Sequence, residues 1–295
     1  MTGSIFTMTN FLGFFSSAYF AGEVKRVQRS QIIAMFGSLL FLMVIAFLIY
    51  NSAYYSAGSD FLNAISLNYV TGTNYTLPAV PTLNFLVAFA SPNPIVIGLS
   101  GFALLATGLG GATLFAFVCV RNLFAWSFDR VLPTAMTRLD SKRNSPNYAV
   151  AVILLAAILL TAVYYYTSFF TYYVFATLNL FVVFTMVSIA AIFFPYKLKG
   201  VFEVSPSVVK KKIGGVPAIT ILGIIGVVVN VYFGYQTAQP AISPPPSGNI
   251  LVQYLAYATV PLTIIAGLLI YGISYVVRKR QGIFLSSVFK EIPPE

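Results

Sequence analysis

Long apolar runs joined by short connections set the pattern of this chain. Stretches without any charged residue cover positions 1–22, 30–59, 61–120, 144–196 and 213–277. A helix crosses about 30 Å of hydrocarbon with roughly 20 apolar residues, so the longer stretches must cross twice or include an outer connection. The run 144–196 is divided by Tyr164-Tyr165-Tyr166-Thr167-Ser168-Phe169-Phe170-Thr171-Tyr172-Tyr173. Aromatic residues gather at membrane interfaces, and this cluster reads as a tight turn between two spans. The pattern predicts about seven crossings, at 3–22, 31–50, 95–120, 148–165, 173–195, 217–235 and 251–277. It also predicts a polar external connection over 51–94 with one short apolar patch at 85–90, and a tail from 278 to 295. The strands of a membrane barrel would alternate apolar and polar positions over short segments. Continuous apolar runs instead predict a single all-α transmembrane domain over 1–295.

Composition agrees: 58% of the 295 residues are hydrophobic and 8% are charged, against about a quarter charged in a soluble domain. The net charge of +10 belongs to topology and not to nucleic acid, because it is divided among short connections. By crossing parity all 17 Lys and Arg residues fall on one side. They comprise Lys25, Arg26 and Arg29; Arg121, Arg130, Arg138, Lys142 and Arg143; Lys197, Lys199, Lys210, Lys211 and Lys212; and Arg278, Lys279, Arg280 and Lys290. The positive-inside rule makes that side cytoplasmic. The expectation is a multi-pass protein of the cell membrane, its C-terminus inside and the N-terminus of this chain outside.

Candidate chemistry is sparse. There is no histidine, and Cys119 is the one cysteine, which removes an intrachain disulfide and the usual Cys/His metal site. All seven acidic residues, Glu23, Asp60, Asp129, Asp140, Glu203, Glu291 and Glu295, lie outside the spans or at their edges. Intramembrane ionisable groups are the usual proton relays and co-ion sites, so a proton-coupling group must be Glu23, at a helix end, or lie on something other than this chain. An intramembrane enzyme lacks its parts, and neither an enzymatic role nor a cofactor is expected; coupling to protons or sodium is not readable. The first segment carries Thr7, Thr9, Asn10, Gly13, Ser16 and Ser17, which lipid would penalise. It is either a broken helix around Phe11-Leu12-Gly13, whose freed backbone groups face a polar cavity, or a helix packed through its small residues. The glycines at 98, 101, 108, 110 and 111 similarly allow either close helix packing or motion.

Two stretches carry a family resemblance. Phe11-Leu12-Gly13-Phe14-Phe15-Ser16-Ser17-Ala18-Tyr19-Phe20-Ala21-Gly22-Glu23-Val24-Lys25-Arg26-Val27-Gln28-Arg29 resembles the sixth helix, and the connection after it, of amino acid permeases in the amino acid, polyamine and organocation transporter superfamily. Gly110-Gly111-Ala112-Thr113, then Arg121-Asn122-Leu123-Phe124-Ala125-Trp126-Ser127-Phe128-Asp129-Arg130-Val131-Leu132-Pro133, then Ser145-Pro146 resembles the eighth helix and its following loop. The chain then corresponds to helices six to twelve. Phe15 stands where many members carry an acidic residue, which counts against a gating or proton role there, and Val27 replaces a proline of the first connection.

The resemblance implies secondary transport of amino acids or related small organic cations, on a fold of two inverted five-helix repeats that holds substrate between broken helices one and six. It implies that Phe11, Leu12 and Gly13 offer main-chain groups to the substrate, that Thr9, Asn10, Phe14 and Ala112 shape the pocket, and that 121–143 contributes to a cytoplasmic gate. The expected partners are an amino acid, the lipid bilayer and the absent helices one to five; the chain then reads as a truncated permease, one part of a split gene, or an excised C-terminal part. A seven-helix receptor and an inactive truncated permease are the alternatives. No lysine lies within the last span to hold retinal, which disfavours a light-driven version.

Overall fold

The computed structural model describes residues 12–72, 75–91, 93–142, 144–166, 176–242 and 250–285. Among the described residues the chain is all-α apart from one minimal hairpin, and six of its helices are long and apolar enough to cross a membrane. They are α1 (Val27–Ala57), α4 (Pro94–Phe128), α5 (Asn147–Tyr166), α6 (Ala176–Lys197), α9 (Ala218–Ile242) and α10 (Ile250–Arg280). Their most apolar windows bury between none and 17% of their residues within the protein, so large side chains such as Phe36, Phe102 and Leu109 face outward. An aqueous surface could not carry such a face, whereas a bilayer solvates it. The fold is that of a multi-pass helical membrane protein.

The observed helices overrun the expected spans, and the reasons are local. α1 continues to Ala57 and stops where Gly58 takes φ 80, its N–H bonded to the Tyr54 carbonyl at 3.0 Å. α4 starts on Pro94, a residue whose missing N–H costs nothing at a helix start, and passes the expected end at 120 because no breaker interrupts Arg121 to Phe128. Segment 51–94 is not a plain loop. It contains α2 (Ser59–Thr71) and α3 (Leu83–Ala90). Phe61, Leu62 and Ile65 recur at helical spacing in α2, Asp60 sits in its positively polarised first turn, and Thr82 caps α3 by accepting from Phe85 N–H. Phe61 and Ile65 of α2 line one cleft with Leu86 and Phe89 of α3.

Of the first expected span, the described part is a 12-residue 3-10 helix, Leu12–Glu23; its earlier residues lie outside the described ones, as do 167–173 of the aromatic cluster expected as a turn, whose Tyr164 to Tyr166 instead close α5. A one-turn 3-10 helix, Thr134–Thr137, follows α4, and α7 (Lys199–Val204), α8 (Ser207–Lys210) and the two-residue strands β1 (Lys212–Ile213) and β2 (Val216–Pro217) connect α6 to α9. The strands pair antiparallel, Lys212 opposite Pro217, around Gly214 and Gly215 at positive φ.

Two compact units divide the described residues, one from Gly13 to Arg121 and one made of Leu12 and the residues from Asn122 onward. The second holds the closest helix pair, α6 with α9. A Cβ on Gly223 would lie 2.8 Å from the Ser188 carbonyl, and one on Gly226 would lie 2.6 Å from Ser188 Oγ. Phe181 stacks on Phe233 with ring centroids 6.4 Å apart. Thr185 and Ser188 donate to carbonyls one turn back at 2.7 Å, which satisfies their hydroxyls away from water, and Thr263 of α10 donates to Asn179 of α6 at 3.0 Å. Small residues therefore do mediate helix packing here, but on α9. At Gly98, Gly101, Gly108, Gly110 and Gly111 of α4 an added Cβ would meet nothing within 4 Å.

Candidate functional site

Three residues per turn place every third side chain of a 3-10 helix in one row. Leu12–Glu23 accordingly presents one row of Gly13, Ser16, Tyr19 and Gly22 and another of Phe14, Ser17, Phe20 and Glu23. The second row meets α4. The Phe20 and Phe117 rings are stacked face to face, 4.2 Å between centroids and 3° from parallel. One step further along, the Glu23 carboxylate pairs with the Arg121 guanidinium, which also lies 4.9 Å over the Phe117 ring.

The match is one of rise per residue. Three residues of a 3-10 helix at about 2.0 Å each, and four of an α-helix at about 1.5 Å each, both advance about 6 Å. Phe20 to Glu23 and Phe117 to Arg121 therefore stay in step. Each contact is modest, since the two charged side chains remain 35% and 54% exposed. An exposed ion pair contributes about 0–1 kcal/mol, the cation over the ring about 0.5–1 and the aromatic pair about 0.5–1.5. Together they fasten the end of the 3-10 helix to α4.

The first row carries the other polar features. Ser16 is buried at 3% exposure, and its hydroxyl has no hydrogen-bond partner among the described residues, nor has the side-chain carbonyl of Gln31. The Gln31 amide donates to the Ser17 carbonyl at 2.9 Å, which ties the start of α1 to the 3-10 helix. Polar atoms left unpaired away from water are costly and call for a ligand or water.

The residues assigned from the sequence fall as follows. Thr9, Asn10 and Phe11 lie outside the described residues. Leu12 opens the 3-10 helix and Gly13 follows it with open space around its Cα; Phe14 is half-buried with its ring edge-on to Phe15 at 6.2 Å. Ala112 is exposed on α4, nine residues before Arg121. What the structure brings together is another part of the same two stretches, Phe20 with Phe117 and Glu23 with Arg121. Glu23 was legible as an acid at a helix end. Its partner was not, because nothing in the spacing selects Arg121 from five basic residues in one connection.

Among the described residues, no three His, Cys, Asp or Glu side chains gather as metal ligands, and Cys119 is exposed. Set beside known proteins, the chain matches no family model, no curated protein and no solved structure.

Proposed function

We propose that the chain is part of a secondary transporter for amino acids or related small organic cations, resembling the second half of a five-plus-five inverted-repeat permease. One observation carries the reading. The two stretches on which the resemblance rests, far apart in sequence, are joined side by side through Phe20–Phe117 and Glu23–Arg121. In this reading the substrate's charged end meets main-chain groups at Phe11 to Gly13, with Thr9, Asn10, Phe14 and Ala112 around it and the Ser16 hydroxyl, without a partner among the described residues, next along the row. The Glu23–Arg121 contact closes the path on the basic side, and 121–143 completes that gate. Helices resembling the first five supply the opposite wall.

Uptake is the test. Cells deficient in amino acid uptake should gain saturable transport when this chain is produced together with five upstream helices, and liposomes holding only these 295 residues should show none. If no amino acid or organic cation in a broad panel enters through the complemented protein, the transporter reading fails. Uptake by the chain alone would mean that its site is complete without further helices.

Orientation has its own measurement. Basic residues mark alternate ends of successive membrane helices: Arg29 opens α1, Arg121 lies near the end of α4, Lys142 precedes α5, Lys197 ends α6, Lys210 to Lys212 precede α9 and Arg278 to Arg280 end α10. All basic ends then share the cytoplasmic face. With Cys119 replaced by alanine, a cysteine at Ala79 should react with an impermeant thiol reagent on intact cells and one at Ser141 should not. The reverse pattern would invert the topology.

A further inference from the structure

The turn that ends α4 is unusual in its sequence. Val131 N–H bonds to the Trp126 carbonyl at 2.8 Å and Arg130 N–H to the Ser127 carbonyl at 3.0 Å, the paired bonds of a helix stop whose left-handed residue is ordinarily glycine. Here that residue is Arg130, at φ 63. A side chain in this conformation is strained and persists where its surroundings over-determine it. The surroundings are the end of α10, within the same unit. Arg278 Nε donates to the Arg130 carbonyl and its Nη2 to the Leu132 carbonyl, both at 2.8 Å, while Ser274, one turn earlier, donates to the carbonyl of Val131 between them. Three consecutive carbonyls at the negatively polarised end of α4 thus meet two side chains of one helix face.

Arg278 is itself held. Its Nη1 donates to Gln281 at 2.9 Å. Its carbonyl accepts from Ile283 N–H at 2.9 Å, and Gly282 N–H bonds to Lys279 at 3.1 Å, the same kind of helix stop, this time with glycine at φ 75. Lysine could not replace the arginine, because a single ammonium lacks the fixed fork that spans two carbonyls.

We propose that Arg278 is a positioning residue for the connection after α4: with Ser274 it holds the carbonyls of Arg130 to Leu132, maintains the left-handed turn at Arg130 and makes the last helix the anchor of that connection. The consequence for transport, that α10 sets the resting position of the cytoplasmic gate, rests on the transporter reading; the clamp does not.

Hydrogen–deuterium exchange of the full chain in lipid nanodiscs tests the clamp without any transport measurement. Arg278→Gln should speed exchange of the amides at 130–132 by about tenfold or more, the effect of losing one charge-assisted hydrogen bond. Arg278→Lys should fall between it and the unaltered chain, and Lys279→Gln should change nothing there. Adding Arg130→Gly to Arg278→Gln should restore protection, because glycine holds the turn unaided. Unchanged exchange at 130–132 in Arg278→Gln overturns the proposal. So does failure of Arg130→Gly to restore it, or faster exchange spread evenly along α10, which would mean that the helix end merely frays. Absence of uptake in the complemented protein would remove the role in gating and leave these outcomes untouched.

Discussion

Leucine in place of Gly13 is expected to weaken substrate binding by roughly tenfold or more, a loss of about 1.4 kcal/mol or greater, while membrane insertion and expression stay normal. The structure supplies the reason folding should tolerate it. No atom of the described residues lies within 4 Å of a Cβ added at Gly13, and Gly13 is not among the glycines at positive φ, so among those residues a side chain meets neither a clash nor backbone strain. The change acts on function if the backbone groups of Phe11 to Gly13 face the substrate, because the leucine side chain then occupies the space the substrate needs. Gly22 is the matched control. It stands in the same row, is equally open to a side chain, and lies nine residues on, about 18 Å along a 3-10 helix. Gly22→Leu should therefore leave affinity nearly intact. The comparison is a binding isotherm for each variant in the complemented transporter, with thermal stability measured alongside. Should Gly13→Leu bind as the parent does, the first segment is an ordinary packed helix and the site assignment is wrong.

How much of this was legible depends on the physics behind each feature. Bilayer thickness imposes a length on apolar runs, so α5, expected at 148–165, is observed at Asn147–Tyr166, with its boundary misplaced by one residue at each end. Helix ends set by a single backbone conformation were less visible. α1 overran its expected end because only Gly58 at φ 80 stops it, and α4 stopped at a turn whose left-handed residue is an arginine, which no turn rule would select. α2 was missed because its polar face hides an apolar spacing of three and four residues, and because a charge-poor segment between spans reads as a loop. Small residues announced close packing without naming the helix: the glycines of α4 stand open while those of α9 touch Ser188 and Ile192. The site was partly legible. The stretches around Gly13 and Arg121 stand out by motif, but neither motif pairs Phe20 with Phe117 or Glu23 with Arg121, and the hydrophobic pattern of Leu12–Glu23 does not distinguish a 3-10 helix from an α-helix.

Reversing one charge of the Glu23–Arg121 pair is expected to cut uptake by the complemented transporter by roughly tenfold, and reversing both to recover part of the loss. Glu23→Arg sets two guanidinium groups against each other, each still partly in water, so the repulsion amounts to about 1 kcal/mol, not the several kcal/mol of a buried site. Arg121→Glu should be the worse single change. It brings two carboxylates together, and it also replaces a cation over the Phe117 ring with a carboxylate beside the electron-rich face that stacks on Phe20. The double reversal restores the attraction between the ends of the 3-10 helix and α4 but not the cation over the ring, and for that reason recovery should stop short of the parent. Salt separates the two contributions: the repulsion of the single variants should fade as ionic strength rises past the range where the Debye length is about 10 Å, whereas the deficit of the double variant should persist. The interaction energy extracted from this cycle measures what the contact contributes to the closed state. A cycle in which the two single effects simply add, with no recovery in the double variant, would mean that the pair is a bystander on the surface and that the cytoplasmic path is closed by other residues.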